Sequence, residues 1–176
     1  MPSPWTFSIP AIAAFLGRHL RGRTVIVDPF CGQSVIGTHR NDLRFSGEDA
    51  EPFVRRLIAD GVRADAILFD PPYSPRQVAE VYQEIGRKVT MHDTQNGTLN
   101  KTVRAALKDI AKSDAVALSF GWNSSRFGTG WDTREILLVQ HGGPHNDTIC
   151  VAQVRRPDLF TPEREAQLAG GTNAPR

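Results

Sequence analysis

The chain has 176 residues, 40% of them hydrophobic and 23% charged, which suits a single soluble domain with a substantial core. Its formal charge of +2 permits a polyanionic partner without requiring one. No apolar run approaches the roughly 20 residues of a membrane helix, the N-terminus lacks a basic-then-apolar signal, and Cys31 and Cys150 have no metal-like spacing. A reducing, cytoplasmic setting without structural zinc is therefore expected.

In chain order, Met1 to Ile9 is Pro/Ser-rich with Trp5 and Phe7 and reads as an arm laid on the body. Pro10 suits a first helical position, and Ile12, Phe15, Leu16 and Leu20 recur at helical spacing. Arg18, His19, Arg21 and Arg23 close that helix as a solvated face or as phosphate contacts. Thr24 to Val27 is a β-branched run typical of a strand buried on both faces. A weaker second strand is predicted at Ile36 to Asn41, a third at Phe45 to Gly47, and a fourth at Asp65 to Phe69. Phe53, Val54, Leu57 and Ile58 make a helical stripe between the last two, punctuated by Gly61.

Val78, Val81, Tyr82 and Ile85 fit another helix, Gly86 to Asn100 a polar mobile loop, and Val103, Leu107 and Ile110 a further helix. Ala115 to Phe120 is the fifth strand. Glu135 to Gln140 and Thr148 to Val154 flank a Gly/Pro/Asn turn and should pair as a hairpin. Strands alternating with short helices imply right-handed crossovers: a mostly parallel α/β sheet, helices on both faces, ending in an antiparallel hairpin strand. Residues 1–156 form one domain in this reading, and 157–176 a frayed polar tail.

The chemistry concentrates at strand ends. Asp28, Asp42, Asp49 and Asp70 each close a predicted strand, and the first is followed by a glycine turn. Singly, such acids cap helices or form turns. Together, beyond the carboxyl ends of parallel strands, they suit one ligand carrying an amine, a ribose and a base. The fourth acid opens Asp70-Pro71-Pro72-Tyr73, where two prolines fix φ and remove two donors, leaving a rigid turn with an acid and an aromatic at its ends. Such a turn can grip a flat amine-bearing ring by hydrogen bonding and stacking.

Asp28-Pro29-Phe30-Cys31-Gly32, Asn41-Asp42, Asp49 and Asp70-Pro71-Pro72-Tyr73-Ser74-Pro75-Arg76-Gln77 resemble the amino-methyltransferases of nucleic acids. With Gly121-Trp122-Asn123 and His145-Asn146-Asp147-Thr148, the chain is similar over roughly Phe7 to Arg155 to small adenine-specific DNA methylases common in phages and prophages. The resemblance implies a Rossmann-like fold and S-adenosylmethionine as methyl donor. It implies DNA as partner, through a target adenine, and neither membrane nor metal; a homodimer stays open.

By the same resemblance, Asp28, Phe30 and Gly32 lie beside the methionine part of the cofactor, and Phe7 and Ile9 close over it. Asp42 takes the ribose hydroxyls and Asp49 the cofactor's adenine. Asp70, also a cofactor neighbour, and the Pro71 carbonyl accept hydrogen bonds from the target amine. Pro72 stiffens the turn, and Tyr73 stacks on the flipped base. Ser34 departs from the family, which has a second glycine there. N4-cytosine or RNA methylation, and an inactive nucleic-acid-binding relative, are the competing readings. Trp122 and Trp131 are open between loop packing and base or cofactor contact, Arg76 between a local pair and a phosphate. A His92-Asp93 dyad is the weakest of these alternatives.

Overall fold

The computed structural model describes residues 6–87, 96–124, 126–143 and 146–157. After a short 3-10 turn at Thr6–Ser8, helix α1 (Pro10–His19) starts on its proline and buries Ile12, Phe15 and Leu16. Strand β1 (Ile26–Asp28) is buried throughout. The predicted second strand contracts to β2 (His39–Arg40). The backbone just before it presses on β1: a Cβ added at Gly37 would lie 2.8 Å from Asp28 Cβ.

The third predicted strand, Phe45 to Gly47, is instead the short helix α2 (Leu43–Ser46). Asp42 accepts the Arg44 N–H as its N-cap, and Gly47 ends it at φ 68°, so both ends of the segment are helix signals. Helix α3 (Ala50–Ala59) buries Phe53, Val54 and Leu57, and strand β3 (Ala64–Phe69) is buried at every residue. Helix α4 (Pro75–Glu84) follows. Helix α5 (Asn96–Ile110) takes in the end of the expected Gly86-to-Asn100 loop; the His92-Asp93 pair lies outside the described residues. Strands β4 (Ala111–Gly121), β5 (Trp131–Val139) and β6 (Thr148–Arg155) complete the order.

One six-stranded sheet runs β2-β1-β3-β4-β6-β5. The first four strands are parallel, and β6 is antiparallel to both β4 and β5. The predicted hairpin thus exists, with β6 inserted next to β4 and β5 at the edge. One apolar cluster packs α3, α5, Phe127 and Trp131 on one face; the other packs α1, Phe7 and Phe120 on the opposite face. The chain leaves β1 for β2 on one side and returns to β3 on the other. Strand order therefore reverses between β1 and β3, where ligands bind in open α/β sheets. No described helix is long and apolar enough to cross a membrane.

Candidate active site

Above that switch point lies a cleft of about 900 Å³, counting the solvent at its mouth. It is lined by the turn after β1 (Pro29 to Gly32, with Ser34), the end of β2 (Asn41, Asp42), the start of α3 (Asp49, Ala50) and Asp70 and Pro72 after β3. Phe7 closes one side and α4 another. Of the sequence-derived site residues, Phe7, Phe30, Gly32, Asp42, Asp49, Asp70 and Pro72 come together here. Ile9, Asp28, Pro71 and Tyr73 do not line the cleft.

Local hydrogen bonds explain this gathering. The Cys31 N–H donates to the Asn41 carbonyl (2.8 Å) and the Asn41 N–H to the Asp28 carbonyl (2.9 Å), stitching the β1 turn to the end of β2. The Gly32 N–H donates to Asp42 Oδ2 at 3.2 Å. Gly32 has φ 51°, and a Cβ there would meet nothing within 4 Å, so its backbone faces open space. Among the described residues only glycines have positive φ. Ser34 therefore needs none of the conformational freedom of the glycine it replaces; its Oγ accepts the Ile36 N–H.

Asp49 does not follow a strand: it is the residue before α3, reached from α2 rather than from the expected third strand. Its carboxylate accepts the Tyr82 hydroxyl (3.1 Å) and Arg87 Nη1 (3.1 Å). Tyr82, with Gln77, Val78 and Val81, brings α4 to the cleft. Periodicity alone makes Val78, Val81 and Tyr82 a helical stripe, because a stripe facing a cleft has the same spacing as one facing a sheet.

Two acids at this edge are withdrawn from water. Asp28 is fully buried; Oδ1 accepts the Phe30 N–H at 3.2 Å, and Oδ2 has no hydrogen-bond partner among the described residues. Burial pushes its pKa up to about 8, against the Phe30 bond, with the charges of Asp70 and Asp42 adding to the rise. Asp70 is 4% exposed, and its Oδ1 accepts the Tyr73 hydroxyl. Burial raises Asp70 to about 7 despite that bond. The same contact and burial hold the Tyr73 phenol far above its ordinary range.

Asp70 thus touches two compartments, the cleft on one side and Tyr73 on the other. The Tyr73 ring lies 5.3 Å from Trp122, which is 39% exposed at the end of β4. Trp131 separates from it completely, packing against Phe127 at 5.0 Å in the core. Arg76 pairs locally with Glu80. The basic end of α1 makes structural pairs, Arg18 and His19 with Glu135 and Arg23 with Asp114. The turn before β6 is closed by Asp147, which accepts the His141 N–H; His145 lies outside the described residues.

The cleft suits a nucleoside bearing a cation. Its walls combine aromatic and aliphatic side chains with three carboxylates, and Gly32 leaves an uncrowded cradle. Asp42 and Asp49 are partly engaged, yet an ionised carboxylate has about four acceptor positions, so both retain capacity for hydroxyl or amine donors. No group of three His, Cys, Asp or Glu among the described residues could hold a metal ion.

No protein-family model matches the chain, and no curated protein matches it. A solved structure described as "Putative methyltransferase yhhF from Escherichia coli" aligns over 70% of this chain and 51% of its own, at 13% identity and a TM-score of 0.34. The chain spans about half the length of that structure, and a likeness of this degree carries no argument about fold or activity.

Proposed function

We propose that this protein transfers a methyl group from S-adenosylmethionine to the N6 amine of an adenine flipped out of DNA. The observation that carries the reading is Asp70: a buried acid at the switch point, facing the cleft on one side and bonded to the aromatic of its own Pro-Pro turn on the other. Cofactor and target then meet at one carboxylate.

Phe7, Phe30, Gly32, Asp42 and Asp49 are the residues that would hold the cofactor. When bound, S-adenosylmethionine supplies an electrophilic methyl on a sulfonium centre. An exocyclic amine is a poor nucleophile because its lone pair is delocalised into the ring. Acceptance of its N–H groups by Asp70 and the Pro71 carbonyl favours a pyramidal nitrogen with an available lone pair. The nitrogen gains the methyl and loses a proton, for which Asp70, raised to about 7, is an acceptor. Positioning supplies most of the acceleration, since oriented reactants alone gain roughly 7–11 kcal/mol. Extruding the base costs a few kcal/mol, partly recovered by stacking on Tyr73.

Calorimetry with S-adenosylmethionine, paired with transfer of labelled methyl to duplex DNA, tests the proposal. Micromolar binding with transfer supports it. Absence of binding points to a nucleic-acid-binding relative without chemistry, and label on cytosine points to an N4-methyltransferase.

A further inference from the structure

The segment Ser74-Pro75-Arg76-Gln77 opens α4 directly after the Pro-Pro turn. Ser74 is the N-cap of α4, and its Oγ accepts the Gln77 N–H at 3.2 Å. Gln77 reaches back with its side chain, as the third helical residue does in a capping box. Its Oε1 accepts not the N–H of the cap residue but that of Tyr73, at 2.6 Å. Pro71 and Pro72 have no N–H, so Tyr73 carries the one N–H donor between Asp70 and Ser74. Gln77 is 6% exposed and lines the cleft, so water is a poor substitute for that acceptor.

We infer that Gln77 is a positioning residue: it sets the direction of Tyr73, so that the hydroxyl meets Asp70 and the ring meets Trp122. The inference rests on the methyltransferase reading for its consequence but not for its geometry. A free Tyr73 N–H would let the backbone at the end of the Pro-Pro turn rotate. The ring would leave the wall beside Asp70, and an oriented site loses about 10²-fold in rate for a misplacement near 1 Å.

The test uses three full-length proteins: native, Gln77→Leu, which fills the space without an acceptor, and Gln77→Glu, which keeps one. The chain has two tyrosines, so 3-fluorotyrosine labelling gives two ¹⁹F resonances, assigned by Tyr82→Phe. Gln77→Leu is expected to move the Tyr73 resonance toward that of free fluorotyrosine. Its kcat for DNA methylation should fall about 10²-fold. Gln77→Glu should return the resonance close to its native position. A Tyr73 resonance unmoved in Gln77→Leu overturns the inference, and so does a moved resonance with unchanged methyl transfer. Should Gln77→Leu fail to fold, a Gln77→Glu resonance displaced from the native one overturns it and a native-like one supports it. Lack of methyl transfer by the native protein overturns the methyltransferase reading instead, and the ¹⁹F comparison still decides the placement of Tyr73.

Discussion

Strand β3 has an aspartate near each end, and the two live under opposite conditions. At the start, Asp65 accepts the Val25 N–H (2.9 Å), the Thr24 N–H (3.2 Å) and the Thr24 hydroxyl (3.1 Å), with Lys112 at 3.5 Å. Burial raises its pKa, but these donors outweigh that effect and hold it below the ordinary value. Just past the end, Asp70 is more deeply buried, and burial lifts it to about 7 against the hydrogen bond from the Tyr73 hydroxyl. The first acid is satisfied and holds β1 to β3. The second accepts the Tyr73 hydroxyl and lines the cleft. The strand thus separates an acid held ionised by its donors from one raised by burial.

The largest expected effect breaks the functional end. Asp70→Ala should lower methyl transfer by at least about 10³-fold while calorimetry still shows S-adenosylmethionine binding. Loss of binding as well would make Asp70 structural. Asp65→Ala should do the reverse, leaving transfer near native and lowering stability in urea by about 1.5–3 kcal/mol as charged hydrogen bonds are lost.

The pH dependence sharpens the contrast. Asp28 and Asp70 titrate near 3.8 when unfolded but at about 8 and about 7 in the fold. The folded state therefore holds protons that the unfolded chain releases. Their contribution is full below pH 4 and is lost as pH rises through about 7 to 8. Asp65 acts oppositely, its contribution being present above 3.8 and lost as pH falls through its lowered pKa. Melting temperature should thus decline between pH 5 and 8, and Asp28→Asn should flatten the decline; an unchanged slope would show that Asp28 is not its source. The smallest effect belongs to the partly solvated Arg23–Asp114 pair at the same end as Asp65. Arg23→Ala should change stability by less than about 1 kcal/mol in the same urea titration.

The parallel core was legible because β1, β3 and the middle of β4 are apolar runs bounded by acids, glycine or proline. Asp70 was legible for the same reason, as the first residue after such a run. Helix α2 was not, because four residues carry too little periodicity; its caps, Asp42 and Gly47, were the available signal. Asp49 lines the cleft, but it precedes α3 instead of closing a strand. Tyr82 and Gln77 escaped because their contacts are tertiary or run backwards along the chain, to Asp49 and to the Tyr73 N–H. Trp122 and Trp131 carry the same local composition and were divided only by the fold, one beside Tyr73 and one in the core.

In the proposed reaction, the Asp70 turn presents an adenine amine to a methyl donor bound in the neighbouring cleft. Plasmid DNA incubated with the native protein and S-adenosylmethionine, digested to nucleosides and analysed by mass spectrometry, tests it most directly. The expected product is N6-methyldeoxyadenosine that disappears with Asp70→Ala. Unmodified DNA, or a methylated base whose yield survives Asp70→Ala, would contradict it.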